Sequence, residues 1–174
     1  MPAGRDKAEY LKLREASWAW LEPWEPTHPG RDPLDEEAFD RFYKTSDTEH
    51  SRRFLIKLLD GRRPGAILGQ VSLNNIVRGA FQSATLGYWI GAEFAGRGYM
   101  TEALTLAVEH AFHALKLHRV EANIIPRNAP SLALVKKLGF RYEGTAARYL
   151  KIAGSWQDHE RWAMTVEDRP TRAD

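Results

Sequence analysis

Two short stretches carry residue types and spacings suited to phosphate chemistry. The first is Ala95-Gly96-Arg97-Gly98-Tyr99-Met100-Thr101-Glu102-Ala103, set between an apolar strand pattern at 86–90 and a long helical pattern. The second is Arg127-Asn128-Ala129-Pro130-Ser131, followed by a helical run that closes on Leu138-Gly139-Phe140. A glycine-rich turn that opens a helix gathers unpaired backbone N–H groups at the positive end of the helix dipole, which suits a phosphate or pyrophosphate. Taken alone, such a turn also fits an ordinary strand-to-helix connection. Gly91 and Gly96 have Walker A spacing, but Arg97-Gly98 follow where a P-loop needs Lys and then Ser or Thr, which excludes that class. Gly96-x-Gly98 begins a dinucleotide fingerprint, yet Thr101 stands in place of the third glycine, and the motif does not follow a first strand.

Those residues need a scaffold, and the composition allows one. The chain has 174 residues, 43% hydrophobic and 28% charged, with 25 basic and 23 acidic side chains. This fits one globular domain, taken as residues 1–168 with a loose tail at 169–174. The near balance of charge gives no general pull toward nucleic acid or membrane. No apolar run approaches the ~20 residues that span a bilayer. The opening Met1-Pro2-Ala3-Gly4-Arg5-Asp6 lacks the apolar core of a signal peptide, so a cytoplasmic location is expected. There is no cysteine, which removes disulfides, thiolate metal sites and a cysteine nucleophile. His110 and His113 are the only i,i+3 histidine pair, and no metal site is expected.

Periodicity places the elements. Residues 6–21 read as a helix, 22–30 as a proline-rich loop anchored by Trp24, and 35–59 as helical with a break at 45–49. Residues 61–65 are a turn. Strands follow at 67–76 and 83–90, joined by Arg78-Gly79. Residues 100–117 give the clearest amphipathic helix, with Met100, Ala103, Leu104, Ala107, Val108 and Ala111 on one face. A strand at 119–125 leads to a helix at 129–138, capped by Asn128 and closed by Gly139. Residues 142–152 and 159–166 form a hairpin around Ala153-Gly154-Ser155. The expected fold is a mixed α/β (α+β) sheet of six or seven strands with flanking helices.

In this order the motifs resemble the GNAT acetyltransferases, and within them the RimJ/RimL branch that acetylates N-termini of ribosomal proteins, the RimJ type in particular. The resemblance rests on Trp24-Glu25-Pro26, Asn75-Ile76-Val77-Arg78-Gly79, Leu86-Gly87-Tyr88-Trp89-Ile90-Gly91, the glycine loop with Thr101-Glu102-Ala103, Leu138-Gly139-Phe140 with Glu143-Gly144, and Gly154-Ser155-Trp156-Gln157-Asp158-His159. It implies acetyl-CoA as donor and a primary amine as acceptor, most closely the N-terminal alanine or similar small residue of a ribosomal protein, in a monomer or homodimer. The alternatives are acetylation of small amines or antibiotics, and a non-catalytic acyl-CoA-binding, ribosome-associated protein.

The resemblance also assigns residues. Ala95 would open the cofactor loop, and pyrophosphate would lie on the N–H groups of Gly96, Arg97, Gly98, Tyr99, Met100 and Thr101. The pantetheine arm would run along Trp89, Ile90 and Gly91, with an N–H near Ile90 on the thioester oxygen. Asn128 would touch the cofactor. Val135 stands where many members carry an acidic tyrosine, and Ser131 is the replacement proton donor. Asn123 stands where some members carry a glutamate base; Glu121, on the same strand face, is the candidate to deprotonate the ammonium through water, and a structural ion pair fits it equally. Without cysteine, the amine attacks the thioester directly. The family opens with a strand before its first helix. Here that strand is expected to be absent, which would leave the edge beside 67–76 open.

Overall fold

The computed structural model describes residues 1–59 and 63–168. Seven strands form one sheet: β1 (Asp47–Thr48), β2 (Ser51–Lys57), β3 (Ile67–Val77), β4 (Ser83–Ile90), β5 (Arg119–Ile124), β6 (Arg141–Ile152) and β7 (Ser155–Thr165). Their spatial order is β1-β2-β3-β4-β5-β7-β6. All neighbours are antiparallel except β4 and β5, which are parallel. The crossover between that pair is α4 (Tyr99–Glu109), continued by a π turn over His110–Ala114. The remaining helices are α1 (Lys7–Ala16), α2 (Trp18–Leu21), α3 (Glu36–Lys44) and α5 (Ala129–Lys137).

Alternation along the strands assigns two faces. Val71, Leu73, Leu86, Val120, Ala122 and Trp162 point one way, into a core closed by Leu104, Val108 and Phe112 of the α4 segment and Val135 of α5. Burying each of the valine, leucine and phenylalanine side chains there contributes about 1.5–3 kcal/mol. On the other face, Tyr10 and Leu13 of α1 and Phe39 and Phe42 of α3 pack on Ile67, but this second cluster covers only one end of the sheet. The rest of that face carries polar side chains.

Two sequence expectations need correction. Residues 35–59 are not helical throughout: the helix ends at Lys44, and 51–57 form β2. The run Arg52-Arg53-Phe54-Leu55-Ile56-Lys57 shows no polar–apolar alternation because both faces of β2 are covered. Phe54 meets His110 on the α4 side, and Leu55 packs with the Tyr10 cluster on the other. Pairing with β3 therefore overrides local pattern. β2 also occupies the edge of β3 that was expected to be open. Residues Gly4–Asp6 form a 3-10 turn, and among the described residues no strand precedes the first helix.

The C-terminal hairpin is tighter than expected, since β7 begins at Ser155. Ala153 and Gly154 both have positive φ (46° and 83°), the signature of a two-residue type I′ turn. The 22–30 loop is stitched to this hairpin. Ala153 N–H donates to the Glu25 carbonyl (3.0 Å), Thr27 N–H to that of Lys151 (2.8 Å), and Gly154 N–H to Thr27 Oγ1 (2.7 Å). Trp24 does anchor the loop, under the Arg127 guanidinium at 4.9 Å. Of the expected 61–65 turn, residues 61 and 62 lie outside the described residues, as does the tail at 169–174.

Candidate active site

The central feature is a fork. β4 and β5 pair only at Ser83↔Arg119, Ala84↔Val120 and Thr85↔Glu121. Beyond Thr85 they part, while β3 continues beside β4 as far as Gly69↔Ile90 and β7 beside β5 as far as Ile124↔Glu160. Gly91 N–H donates to the Leu68 carbonyl at 2.8 Å, so the odd-numbered residues of β4 turn their backbone groups toward β3. The even ones, Tyr88 and Ile90, therefore present N–H and C=O to the gap. Of the three residues 89–91, Ile90 alone offers its N–H there. Trp89 turns its backbone to β3, and its indole donates to Gln70 Oε1 (3.2 Å) under the Arg14 guanidinium.

The glycine loop lies at the open end of this fork. Gly96 and Gly98 have φ of +73° and +87°, left-handed values that glycine adopts without strain. Gly98 is the N-cap of α4, and its carbonyl takes the first helical bond from Glu102 N–H at 3.1 Å. Among the described residues, the N–H groups from Gly96 to Thr101 donate to no protein acceptor. Space is open where a Cβ of Gly96 or Gly98 would stand. Two left-handed glycines flanking Arg97, with free N–H donors at the start of a helix, resemble an anion nest, and the loop suits a pyrophosphate. Arg97 is exposed beside it. Lys136 is turned away, over the Trp162 ring at 5.3 Å.

The second motif closes the fork from the α5 side. Asn128 Oδ1 accepts the Ser131 N–H at 3.2 Å, so Asn128 caps α5. Ser131 Oγ lies 2.8 Å from the Tyr88 hydroxyl, bridging the first turn of α5 to the unpaired part of β4. Burial pushes the Tyr88 phenol up to about 12, partly offset by the bond to Ser131. Tyr88 was not singled out from the sequence. Its place between Leu86 and Ile90 on the face toward α5 was the available signal. Val135 is fully buried in the core, so the hydroxyl near this helix comes from the neighbouring strand and from Ser131.

Glu121 and Asn123 share the opposite face, as expected. Both Glu121 oxygens are engaged: Oε1 with Arg119 Nε (2.8 Å) and Oε2 with Arg161 (3.4 Å). Arg119 also grips Glu143, which draws that carboxyl down to about 2. Asn123 Oδ1 is buried with no partner among the described residues.

Comparison with known proteins agrees with this geometry. The sequence profile of the acetyltransferase (GNAT) domain matches residues 3–141. The chain belongs to the GNAT acetyltransferases. Acetyl-CoA is the donor that these enzymes use. Among GNAT relatives, the [ribosomal protein uS5]-alanine N-acetyltransferase of Escherichia coli is 36% identical over 86% of this chain and 77% of its own length. A probable N-acetyltransferase of Bacillus subtilis, YjcK, is 47% identical over 59% of this chain; the match spans 56% of that protein. The structure of Mycobacterium smegmatis RimJ in complex with CoA-disulfide superposes with a TM-score of 0.88 at 34% identity, covering 98% of this chain and 82% of that one. More distantly, the spermidine N(1)-acetyltransferase of Escherichia coli is 28% identical over 71% of this chain. Among the described residues no helix is long and apolar enough to cross a membrane.

Proposed function

We propose that residues 1–168 act as one unit that moves the acetyl group of acetyl-CoA directly onto the N-terminal amine of a protein, a ribosomal protein beginning with alanine or a similarly small residue. Such an acceptor would place the protein in the cytoplasm. The observation that carries the reading is the fork, with the anion nest at its mouth and the Tyr88–Ser131 hydroxyl pair on its wall. The names of the Escherichia coli and Mycobacterium smegmatis relatives support the acceptor class.

Acetyl-CoA supplies the acyl group already activated as a thioester. The N–H groups of Gly96 to Thr101 hold its pyrophosphate, and the inward N–H and C=O groups of Tyr88 and Ile90 pair with its extended arm. One of those N–H groups stabilises the negative charge that develops on the thioester oxygen. The free end of Asn128, its amide nitrogen, is available to the same arm. The Ser131 and Tyr88 hydroxyls meet the leaving sulfur. The acceptor enters from the opposite, polar face, where Asn123 Oδ1 can take a hydrogen bond from the amine. Glu121 keeps roughly two of its four lone-pair sites beside its arginine bonds, enough to hold a water that carries the ammonium's proton away. Rate enhancement then comes from positioning and charge stabilisation.

The polyamine reading is favoured by the spermidine acetyltransferase similarity, but the electrostatics oppose it. A polycation needs carboxylates for its second ammonium. On this face Glu121 is bound by two arginines and Glu25 by Arg14 at 3.0 Å. The test is acetylation of a hexapeptide beginning with alanine, against the same peptide with a blocked N-terminus, spermidine and an aminoglycoside. Faster transfer to spermidine than to the free peptide overturns the proposal.

A further inference from the structure

Five buried polar side-chain atoms lack a partner among the described residues, and four belong to the acceptor side of the sheet: Arg14 Nε, Arg53 Nε, Asn74 Oδ1 and Asn123 Oδ1. Arg53 differs from the rest. It is a charged group with no ion pair among the described residues, and its terminal nitrogens donate to no protein acceptor. Arg14, by contrast, has Glu25, and the neighbouring Arg52 and Lys57 have Asp47 and Asp6. The Tyr10 hydroxyl nearby is committed to Gln70 Oε1 at 2.9 Å. Burial pushes the Arg53 guanidinium below its usual pKa, the direction expected of a cation short of a counter-charge.

Register ties Arg53 to the fork. Arg53 stands opposite Ser72, and Ser72 opposite Gly87, in one row across β2, β3 and β4. Gly87 contributes no side chain and Ser72 only a hydroxymethyl group, whose Oγ donates to the Gly87 carbonyl at 3.1 Å. Arg53 is thus the charged end of a low row that starts at the fork. Two strand spacings of about 4.8 Å plus half the gap put it roughly 12 Å from the reacting amine. An extended chain rises about 3.3 Å per residue, so that distance is three to four residues beyond the first, which reaches position four or five.

Building on the N-terminal acetylation reading, we propose that Arg53 is a specificity-determining residue that binds a carboxylate at the fourth or fifth position of the acceptor polypeptide. A half-buried guanidinium whose Nε is buried and whose terminal nitrogens are free suits bidentate capture of a carboxylate. Binding supplies the counter-charge that the fold withholds, so the free protein discriminates against acceptors with a neutral or basic residue there.

The experiment uses hexapeptides that begin with alanine and carry glutamate, glutamine or lysine at position four or five, assayed with the wild-type chain, Arg53→Gln and Arg53→Lys. With wild type, the glutamate peptides should exceed the glutamine peptides at least tenfold in kcat/KM, mostly through KM. The preference should shrink with added salt. Arg53→Gln should erase it while leaving kcat on the glutamine peptides within about threefold, and Arg53→Lys should keep part of it. An acetyl-CoA-induced rise in Tm in each variant reports a retained fold and donor site. Equal use of all peptides by wild type, or a glutamate preference that survives Arg53→Gln, overturns the Arg53 assignment alone. Acetylation of none of the peptides overturns it together with the N-terminal reading.

Discussion

The hydroxyl pair on the fork wall offers the sharpest test of the chemistry. A leaving thiol has a pKa near ~8.5, whereas Tyr88 is pushed up to about 12. Full proton transfer from Tyr88 to the thiolate is therefore uphill by about 3.5 units, or ~5 kcal/mol. The pair is better suited to holding a hydrogen bond on the sulfur as charge builds than to giving up a proton outright. A hydrogen bond to a charged group contributes about 1.5–3 kcal/mol. Ser131→Ala and Tyr88→Phe should then each lower kcat by roughly 10- to 150-fold with little change in the KM for acetyl-CoA. Because the two oxygens lie 2.8 Å apart and act as a unit, the double variant should lose no more than about threefold beyond the worse single one. Release of CoA thiol can be followed with a thiol-reactive chromophore, since the protein has no cysteine to interfere. Tyr88 should also produce no falling limb in kcat below about pH 10. Wild-type kcat in both single variants, or losses that multiply in the double, would refute the shared hydrogen bond.

Three further outcomes are expected. Acetyl-CoA at 100 times its Kd should stabilise the fold by about 2.7 kcal/mol and raise Tm. Gly98→Asp should abolish that shift, because it sets a Cβ at φ +87° and a carboxylate among the anion-binding N–H groups; an unchanged shift would move the donor site elsewhere. Initial-rate kinetics should be sequential, with no acetylated protein found by mass spectrometry after incubation with acetyl-CoA alone; ping-pong patterns would contradict direct transfer. Glu143, with its carboxyl drawn down to about 2 by Arg119 and Arg141, should contribute stability that is present above ~4.3 and lost as pH falls toward 2. Circular dichroism should therefore show less acid-dependent loss over that window in Glu143→Gln, and an identical acid profile would remove the ion pair from the account.

What could be read in advance follows the range of the interactions. α4, α5 and the β4 strand announce themselves by local period and by glycines whose positive φ no other residue tolerates well. Ser83–Ile90 was expected to the residue. β2 was misread because its order comes from partners far along the chain. Its apolar side chains serve two faces at once, so neither a helical nor an alternating pattern survives in 51–57.

The site divides in the same way. The proposed donor half is built from backbone, and backbone geometry is written in glycine, so Gly96 to Thr101 could be named once the resemblance was added to their spacing. The acceptor half is built from side chains on β2, β3, β5 and β7, and its meaning lies in which charges find partners. Glu121 fits a base or an ion pair by its sequence position, and its partners are Arg119 and, forty residues later, Arg161. Nothing in the sequence separates Arg53 from Arg52, yet Arg52 pairs with Asp47 while Arg53 has no ion pair among the described residues. On the proposed reading, a carboxylate held by two arginines and a guanidinium without a partner among the described residues set the charge preference of the acceptor face. That arrangement favours an acceptor with one amine and a nearby carboxylate over a polyamine on the same scaffold.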